Sequence, residues 1–129
     1  MMRRILVIDD DSGICAFICE CLKSIGEYDV MVANTGKEGF RIAKSEEPDL
    51  ILLDILLPDI NGLDLLKKLS RNKKTCYIPV IMITGVSSKE AKEDACREFS
   101  DGYIVKPFDP NTLEAAVART LKYHKGKQV

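Results

Sequence analysis

Acidic residues follow two of the apolar runs in this sequence. Asp9 and Asp10 come directly after Ile5–Ile8, and Asp54 comes directly after Leu50–Leu53. A buried carboxylate is costly unless it is paired or binds a metal, so Asp54 is an unusual residue for the end of an apolar run. Carboxylate oxygens suit a hard cation such as Mg²⁺. If the two runs are strands of one sheet, these acids form a candidate metal site.

Two more polar residues in comparable positions suit phosphoryl chemistry. Thr84 follows the apolar run Ile78–Ile83, and Lys106 follows Tyr103–Val105. The ammonium of Lys106 is a point charge suited to phosphate, and Thr84 offers a hydroxyl donor. A carboxylate beside a divalent cation, an ammonium and a hydroxyl could attack a phosphoryl group, because the incoming negative oxygens meet groups already in place. The candidate chemistry is therefore phosphoryl transfer to a carboxylate.

These residues converge only if the apolar runs are parallel strands, whose carboxyl ends lie along one sheet edge where ligands bind. Short apolar runs bounded by turn signals fit strands buried on both faces. Segments with helical periodicity separate the runs, so we predict an α/β fold with a doubly wound, five-stranded parallel sheet and five helices. The predicted strands are Ile5–Ile8, Tyr28–Ala33, Leu50–Asp54, Ile78–Ile83 and Tyr103–Val105. The predicted helices run from Ser12 to Ile25, from Thr35 to about Ser45, from Asn61 or Gly62, from Ser87 to about Phe99, and from Pro110.

Length and composition narrow the class of protein. A chain of 129 residues with 46% hydrophobic residues is expected to be one domain, 1–129. Its net charge of −1 gives no electrostatic case for direct nucleic-acid binding. No apolar run reaches the length of a membrane helix or a signal peptide, so we expect a cytoplasmic protein without membrane contact. The five cysteines lack zinc-ligand spacing, and we expect them to be buried, reduced thiols.

The motifs together resemble the receiver domain of two-component response regulators, a CheY-like, flavodoxin-like fold with strand order 2-1-3-4-5. The resemblance covers essentially the whole chain. It rests on Asp9-Asp10, Asp54 with Pro58-x-x-x-Gly62, Thr84-Gly85, and Tyr103-x-x-Lys106-Pro107-Phe108. It implies that Asp54 is a phosphoacceptor, which receives its phosphoryl group from a histidine kinase or a histidine phosphotransfer protein.

The resemblance also implies roles for the other site residues. Mg²⁺, for which Mn²⁺ could substitute, would be held by Asp9, Asp10, Asp54 and the backbone carbonyl of Leu56. Thr84 and Lys106 would contact the phosphoryl group, and the Lys106–Pro107 peptide bond is expected to be cis.

A switch is implied as well. On phosphorylation Thr84 would move toward the phosphoryl group and Tyr103 would rotate inward. Partner binding would then change on the surface formed by the predicted fourth helix, fifth strand and fifth helix. The expected partners are the phosphoryl donor and a downstream protein target or an output domain. We expect a monomer, with a dimer as the open alternative, and a phosphoacceptor that assists its own phosphorylation and dephosphorylation rather than a turnover enzyme.

Two apolar residues predict a long-lived phosphorylated state. Leu56 and Val86 lie two residues after Asp54 and Thr84, at positions that vary in the family. Neither side chain can orient an attacking water by a hydrogen bond, so we predict slow self-dephosphorylation.

Three alternatives remain open at this point. An aspartate-nucleophile phosphatase of the haloacid-dehalogenase type needs a second Asp two residues after the first, where this chain has Leu56. A nucleotide or flavin carrier needs a Gly-rich or Ser/Thr-rich loop after Ile8, where this chain has acids. A degenerate receiver used only for docking is disfavoured, because every key residue is present.

Overall fold

The computed structural model describes residues 2–85 and 100–124. The predicted helix from Ser87 to about Phe99 lies outside these residues, as do Val86 and the polar tail 125–129. The strands are β1 (Arg3–Ile8), β2 (Tyr28–Ala33), β3 (Leu50–Asp54), β4 (Val80–Thr84) and β5 (Gly102–Val105). The described helices are α1 (Ser12–Ile25), α2 (Gly36–Glu46), α3 (Gly62–Arg71) and α4 (Pro110–His124). Helix α4 is thus the fifth of the predicted helices, and four of the five predicted helices fall on described residues.

The five strands form one parallel sheet in the order β2-β1-β3-β4-β5, which confirms the predicted topology. Its register determines which residues meet at the carboxyl edge. Ile8 pairs with Leu53, so Asp9 and Asp54 follow paired residues on neighbouring strands. Asp54 in turn pairs with Ile83, which places Thr84 one step farther along the next strand.

Helices cover both faces of the sheet, which explains why the strands are continuously apolar instead of alternating. Alternate strand residues point to opposite faces and join two separate cores. The first core lies between the sheet and α1 and α4. It includes Ile5, Val7, Leu52, Ile83, Ile18, Leu22, Leu113 and Val117. The second, here called the α2–α3 core, includes Leu6, Ile8, Leu53, Met82, Ala43, Leu65, Leu66 and Leu69.

Local capping explains where α1 and α2 begin. The Asp11 carboxylate accepts hydrogen bonds from the backbone N–H groups of Gly13 (2.9 Å) and Ile14 (3.1 Å). The Thr35 hydroxyl accepts one from the Glu38 N–H at 3.1 Å. Each bond satisfies a donor that has no partner within its helix.

Strand β4 begins two residues later than predicted, at Val80 instead of Ile78. Pro79 has no N–H to donate to a neighbouring strand, so regular pairing starts after it. The Val80 N–H donates to the Asp101 carboxylate at 2.9 Å, and the Asp101 N–H donates to the Val80 carbonyl at 2.9 Å. This pair links the start of β4 to the residue before β5.

The first residue of α3 touches the backbone that carries Asp54. A Cβ at Gly62 would collide with the Asp54 carbonyl oxygen and would lie 2.6 Å from the Ile55 Cα. Because these are backbone atoms, they cannot move aside as a flexible side chain could. Only glycine therefore fits at the start of α3.

We expect Gly62→Ala to lower the free energy of unfolding by about 2 kcal/mol, the usual cost of overpacking. Urea denaturation followed by circular dichroism measures this. Gly102→Ala is the matched control, since a Cβ there has no heavy atom within 4 Å. Equal effects of the two substitutions would show that close packing at Gly62 is not the cause.

The cysteine prediction was partly wrong. The four described cysteines are free thiols, and Cys15 is buried, but Cys76 is exposed on the segment after α3. The Cys15 thiol donates to the Asp9 carbonyl at 3.3 Å, and burial together with the Asp9 charge raises its pKa to about 11. Cys15 therefore stays a protonated thiol at neutral pH. Separately, no described helix has both the length and the apolar composition needed to cross a bilayer.

Candidate functional site: an acid cluster at the carboxyl edge

Three carboxylates predicted as metal ligands converge at the carboxyl ends of β1 and β3. One oxygen from each of Asp9, Asp10 and Asp54 lies within 4.8 Å of the other two. Asp9 is fully buried and Asp54 is 6% exposed, whereas Asp10 is exposed. The cluster therefore has a buried floor and an open side, so a ligand can reach it from solvent.

Lys106 places a positive charge between two of these acids. Its Nζ lies 3.3 Å from Asp9 Oδ2 and 3.3 Å from Asp54 Oδ1. Its backbone N–H donates to the Thr84 carbonyl at 2.6 Å, which extends the pairing of β4 with β5 to the site. The Lys106–Pro107 peptide bond is cis.

The charges in the cluster do not balance. Burial raises the pKa of Asp54, and the nearby Asp9 charge raises it further, while Lys106 and the Leu56 N–H lower it in part. Burial lowers the pKa of Lys106, but the charges of Asp54 and Asp9 outweigh burial, so its pKa lies above the usual value and it stays an ammonium. One ammonium facing three carboxylates leaves negative charge that a divalent cation would neutralise, so the donor set fits a hard metal ion.

The other predicted site residues lie on β4, on β5 and in the loop that follows β3. Thr84 is buried at the end of β4. Leu56 is 64% exposed and forms an isolated antiparallel bridge with Asn61, in the loop between β3 and α3. Tyr103 is half-buried on β5 and packs against the α2–α3 core.

Sequence reasoning missed Asp59, which connects this loop to α2. Its carboxylate accepts hydrogen bonds from the backbone N–H groups of Gly36 (2.8 Å) and Lys37 (2.9 Å), the first two residues of α2. Pro58-Asp59 indicates only a turn, and nothing local identifies partners more than twenty residues away. Asp59 thereby anchors the loop that carries Leu56.

The hydrogen bonds to Asp59 predict a pH dependence. They lower the pKa of the exposed Asp59 carboxyl below its usual value. A carboxyl whose pKa is lower in the folded state stabilises the fold above its unfolded-state pKa, and this contribution is lost as the pH falls through the lowered pKa. We expect wild type to be more stable than Asp59→Asn at neutral pH, and the difference to shrink in acid, below about pH 4.

Thermal unfolding of both proteins across a pH series measures this difference directly. Asp29→Asn, at an exposed position on β2, is the control. A stability difference between wild type and Asp59→Asn that stays constant from neutral to acidic pH would contradict the assignment.

Comparison with known proteins identifies the family. Residues 5–118 match the family described as response regulator receiver domain, so the chain belongs to it. This confirms that the chain is a receiver domain of two-component response regulators. The fold agrees with the CheY-like receiver domain protein of Methanospirillum hungatei JF-1 at a TM-score of 0.87, with 32% identity over 98% of this chain and 99% of that one. The fold also agrees with that of the Vibrio cholerae chemotaxis protein CheY4 at a TM-score of 0.84, with 26% identity over 93% of this chain and 99% of that one.

Curated relatives of similar sequence are transcriptional regulators by name. The chain is 37% identical over 121 residues to the DNA-binding dual master transcriptional regulator RpaA of Synechocystis sp.. The matched residues cover 94% of this chain and 50% of that protein. It is 34% identical over 122 residues to the alkaline phosphatase synthesis transcriptional regulatory protein PhoP of Bacillus subtilis. Here the matched residues cover 95% of this chain and 50% of that protein. The chain thus spans about half the length of these relatives.

Proposed function

We propose that Asp54 accepts a phosphoryl group from the phosphohistidine of a histidine kinase or histidine phosphotransfer protein. A carboxylate oxygen of Asp54 forms the new bond to phosphorus while the bond from phosphorus to the imidazole nitrogen breaks, and the electron pair stays on that nitrogen. The convergence of Asp9, Asp10 and Asp54 within 4.8 Å, together with Lys106, carries this proposal. Lys106 would offset negative charge on the phosphoryl oxygens, and the Thr84 hydroxyl would donate to one of them.

A divalent cation completes the proposed site. Asp9, Asp10, Asp54 and the Leu56 backbone carbonyl would hold Mg²⁺, or Mn²⁺ in its place. When bound, this cation neutralises the clustered carboxylates and the incoming phosphoryl oxygens. The contribution of the chain is to hold its acids within reach of one ion, while Asp59 anchors the loop that supplies the carbonyl.

Phosphorylation of Asp54 would be signalled to partners through Thr84, Tyr103 and the surface around β5 and α4. Thr84 and Tyr103 would form the switch, in which the half-buried side chain of Tyr103 would rotate inward. Binding of a downstream target, or of an output domain in the same protein, would change on the surface around β5 and α4. The chain would act as a monomer and as a phosphoacceptor, without turnover as an enzyme.

Phosphorylation by acetyl phosphate tests the central claim. Intact-mass spectrometry should show one added phosphoryl group with Mg²⁺ present and none with excess EDTA. Borohydride reduction of the acyl phosphate followed by peptide mapping should identify residue 54. Modification at another residue, or modification that is unaffected by EDTA, would overturn the assignment.

The exposed side chain at Leu56 predicts the lifetime of the phosphorylated protein. Leu56→Asn supplies a group that can orient an attacking water, so we expect dephosphorylation to become about tenfold faster, less than the roughly hundredfold or more that a positioned acid or base gives. Release of phosphate from the purified phosphoprotein measures the rate. Leu56→Ala is the control, since it removes the apolar group without adding a hydrogen-bonding one. Complete loss of phosphate from wild type within seconds would contradict the prediction of slow decay.

A further inference from the structure

A groove between α2 and α3 is lined by cations, far along these helices from their N-terminal ends near the acid cluster. It consists of two adjoining depressions of about 550 and 440 Å³ that share Asn72. We call it the basic groove and define it by six residues: Arg41, Lys44, Lys68, Arg71, Lys73 and Lys74. Lys67 and one carboxylate, that of Asp64, also line the second depression. These are six of the 19 basic residues in a chain whose net charge is −1.

Positive charge predominates in the groove, although Asp64 also lines it one turn before Lys68. Arg41 and Lys44, and likewise Lys68 and Arg71, are like charges three residues apart, which destabilises a helix. Within residues 2–85 and 100–124, none of the six groove cations forms an ion pair.

Two of the cations are held in place over a shared aromatic ring. Lys44 Nζ lies 4.5 Å and Lys68 Nζ lies 4.6 Å from the centroid of Phe40. One ammonium comes from α2 and the other from α3, so the ring fixes positive charge on both walls of the groove. The helix dipole accounts for cations in the last turns of α2 and α3, but not for Lys73 and Lys74, which follow α3.

The groove suits a dense polyanion better than a protein surface. Protein interfaces depend on an apolar centre, and none of the large apolar side chains that are exposed among the described residues lines the groove. Binding to a phosphate backbone requires only closely spaced cations, since its free energy comes from the release of counterions. Ammonium groups already lie over Phe40, so the ring is not free to stack on an unpaired base, which favours a duplex over a single strand.

We propose that the basic groove binds the phosphate backbone of a nucleic-acid duplex without sequence preference. Four of its six cations are lysines, which contact phosphate as point charges and carry little information about base sequence. The net charge of the chain argued against nucleic-acid binding, but it averages over the whole surface, whereas the fold gathers these cations in one groove. The proposal does not depend on the chemistry of Asp54.

Two triple variants with the same net charge test the proposal. Arg71→Gln/Lys73→Gln/Lys74→Gln removes half of the groove cations, whereas Lys23→Gln/Arg119→Gln/Lys122→Gln removes three exposed cations from α1 and α4. Fluorescence anisotropy with a short random-sequence DNA duplex measures binding at several salt concentrations. For wild type we expect a dissociation constant of about 10⁻⁵ M at low salt, within the range of non-specific binding.

The groove variant should bind the duplex at least about tenfold more weakly. The slope of the logarithm of the binding constant against the logarithm of the salt concentration should become shallower by roughly 0.9 for each phosphate that the protein no longer neutralises. The α1 and α4 variant should bind as wild type does. Equal weakening of the two variants, or no wild-type binding at low salt, would overturn the proposal. Tighter binding to a polyglutamate peptide or to phosphatidylglycerol vesicles than to the duplex would also overturn it, in favour of an acidic protein or a membrane surface. Circular dichroism of both variants confirms that each is folded.

Discussion

We expect Asp54→Asn to reduce phosphorylation by acetyl phosphate to background, because a neutral amide cannot supply the carboxylate oxygen that would attack phosphorus. The side chain keeps its shape, so the loss would come from chemistry and not from packing. Intact-mass spectrometry in Mg²⁺ measures the effect. Asp64→Asn, at an exposed position on α3, is the matched control and should be phosphorylated like wild type.

The stability of Asp54→Asn provides a second, independent measurement. Burial and the Asp9 charge raise the pKa of Asp54. A carboxyl whose pKa is higher in the folded state lowers the stability of the fold as the pH rises from the unfolded-state pKa to the folded-state pKa. Without divalent cations, we therefore expect Asp54→Asn to be more stable than wild type at neutral pH, with the gain shrinking in acid. A less stable variant at neutral pH would contradict this account of the cluster.

Lys106→Met should lower the free energy of unfolding by about 3 kcal/mol at neutral pH in the absence of divalent cations. The substitution keeps most of the side-chain volume but leaves the buried carboxylates of Asp9 and Asp54 without their ammonium partner. Phosphorylation by acetyl phosphate should also be strongly reduced, because the cation that faces the phosphoryl oxygens is gone. Urea denaturation measures the stability loss, with Lys122→Met, at an exposed position on α4, as the control.

Two rescues would establish that the loss is electrostatic. Combining Lys106→Met with Asp54→Asn should recover part of the stability, since one of the two unpaired carboxylates is then neutral. Adding Mg²⁺ to Lys106→Met should also stabilise it, by binding the folded state. If neither rescue has any effect, poorer packing of the substituted side chain explains the change better than the missing charge.

The basic groove and the acid cluster lie at different places along the helices and strands. Acids gather at the carboxyl ends of β1 and β3, while Lys73 and Lys74 follow the C-terminal end of α3. A docked nucleic acid would therefore leave Asp54, the proposed phosphoacceptor, open to the proposed donor protein. Phosphorylation of wild type by acetyl phosphate should accordingly be unchanged when duplex DNA is added.

The sequence was enough to predict a five-stranded parallel sheet and the polar residues at the ends of its strands, and the resemblance to receiver domains supplied the strand order. The apolar runs of β1 and β3 are local and uninterrupted, and each is followed at once by a carboxylate. Alternation of strands with amphipathic helices leaves few possible topologies. Asp9 and Asp54 could therefore be placed at one sheet edge from local patterns and topology rules together.

Only the tertiary structure decided the contacts between distant segments. The bonds from Gly36 and Lys37 to Asp59 and the meeting of Lys44 and Lys68 over Phe40 each join residues that no local pattern relates. Periodicity and capping act within a few residues, whereas these contacts depend on how whole helices pack on the sheet. For the same reason, the basic residues on and after α3 do not by themselves indicate a groove, because Arg41 and Lys44 of α2 line it from the other side.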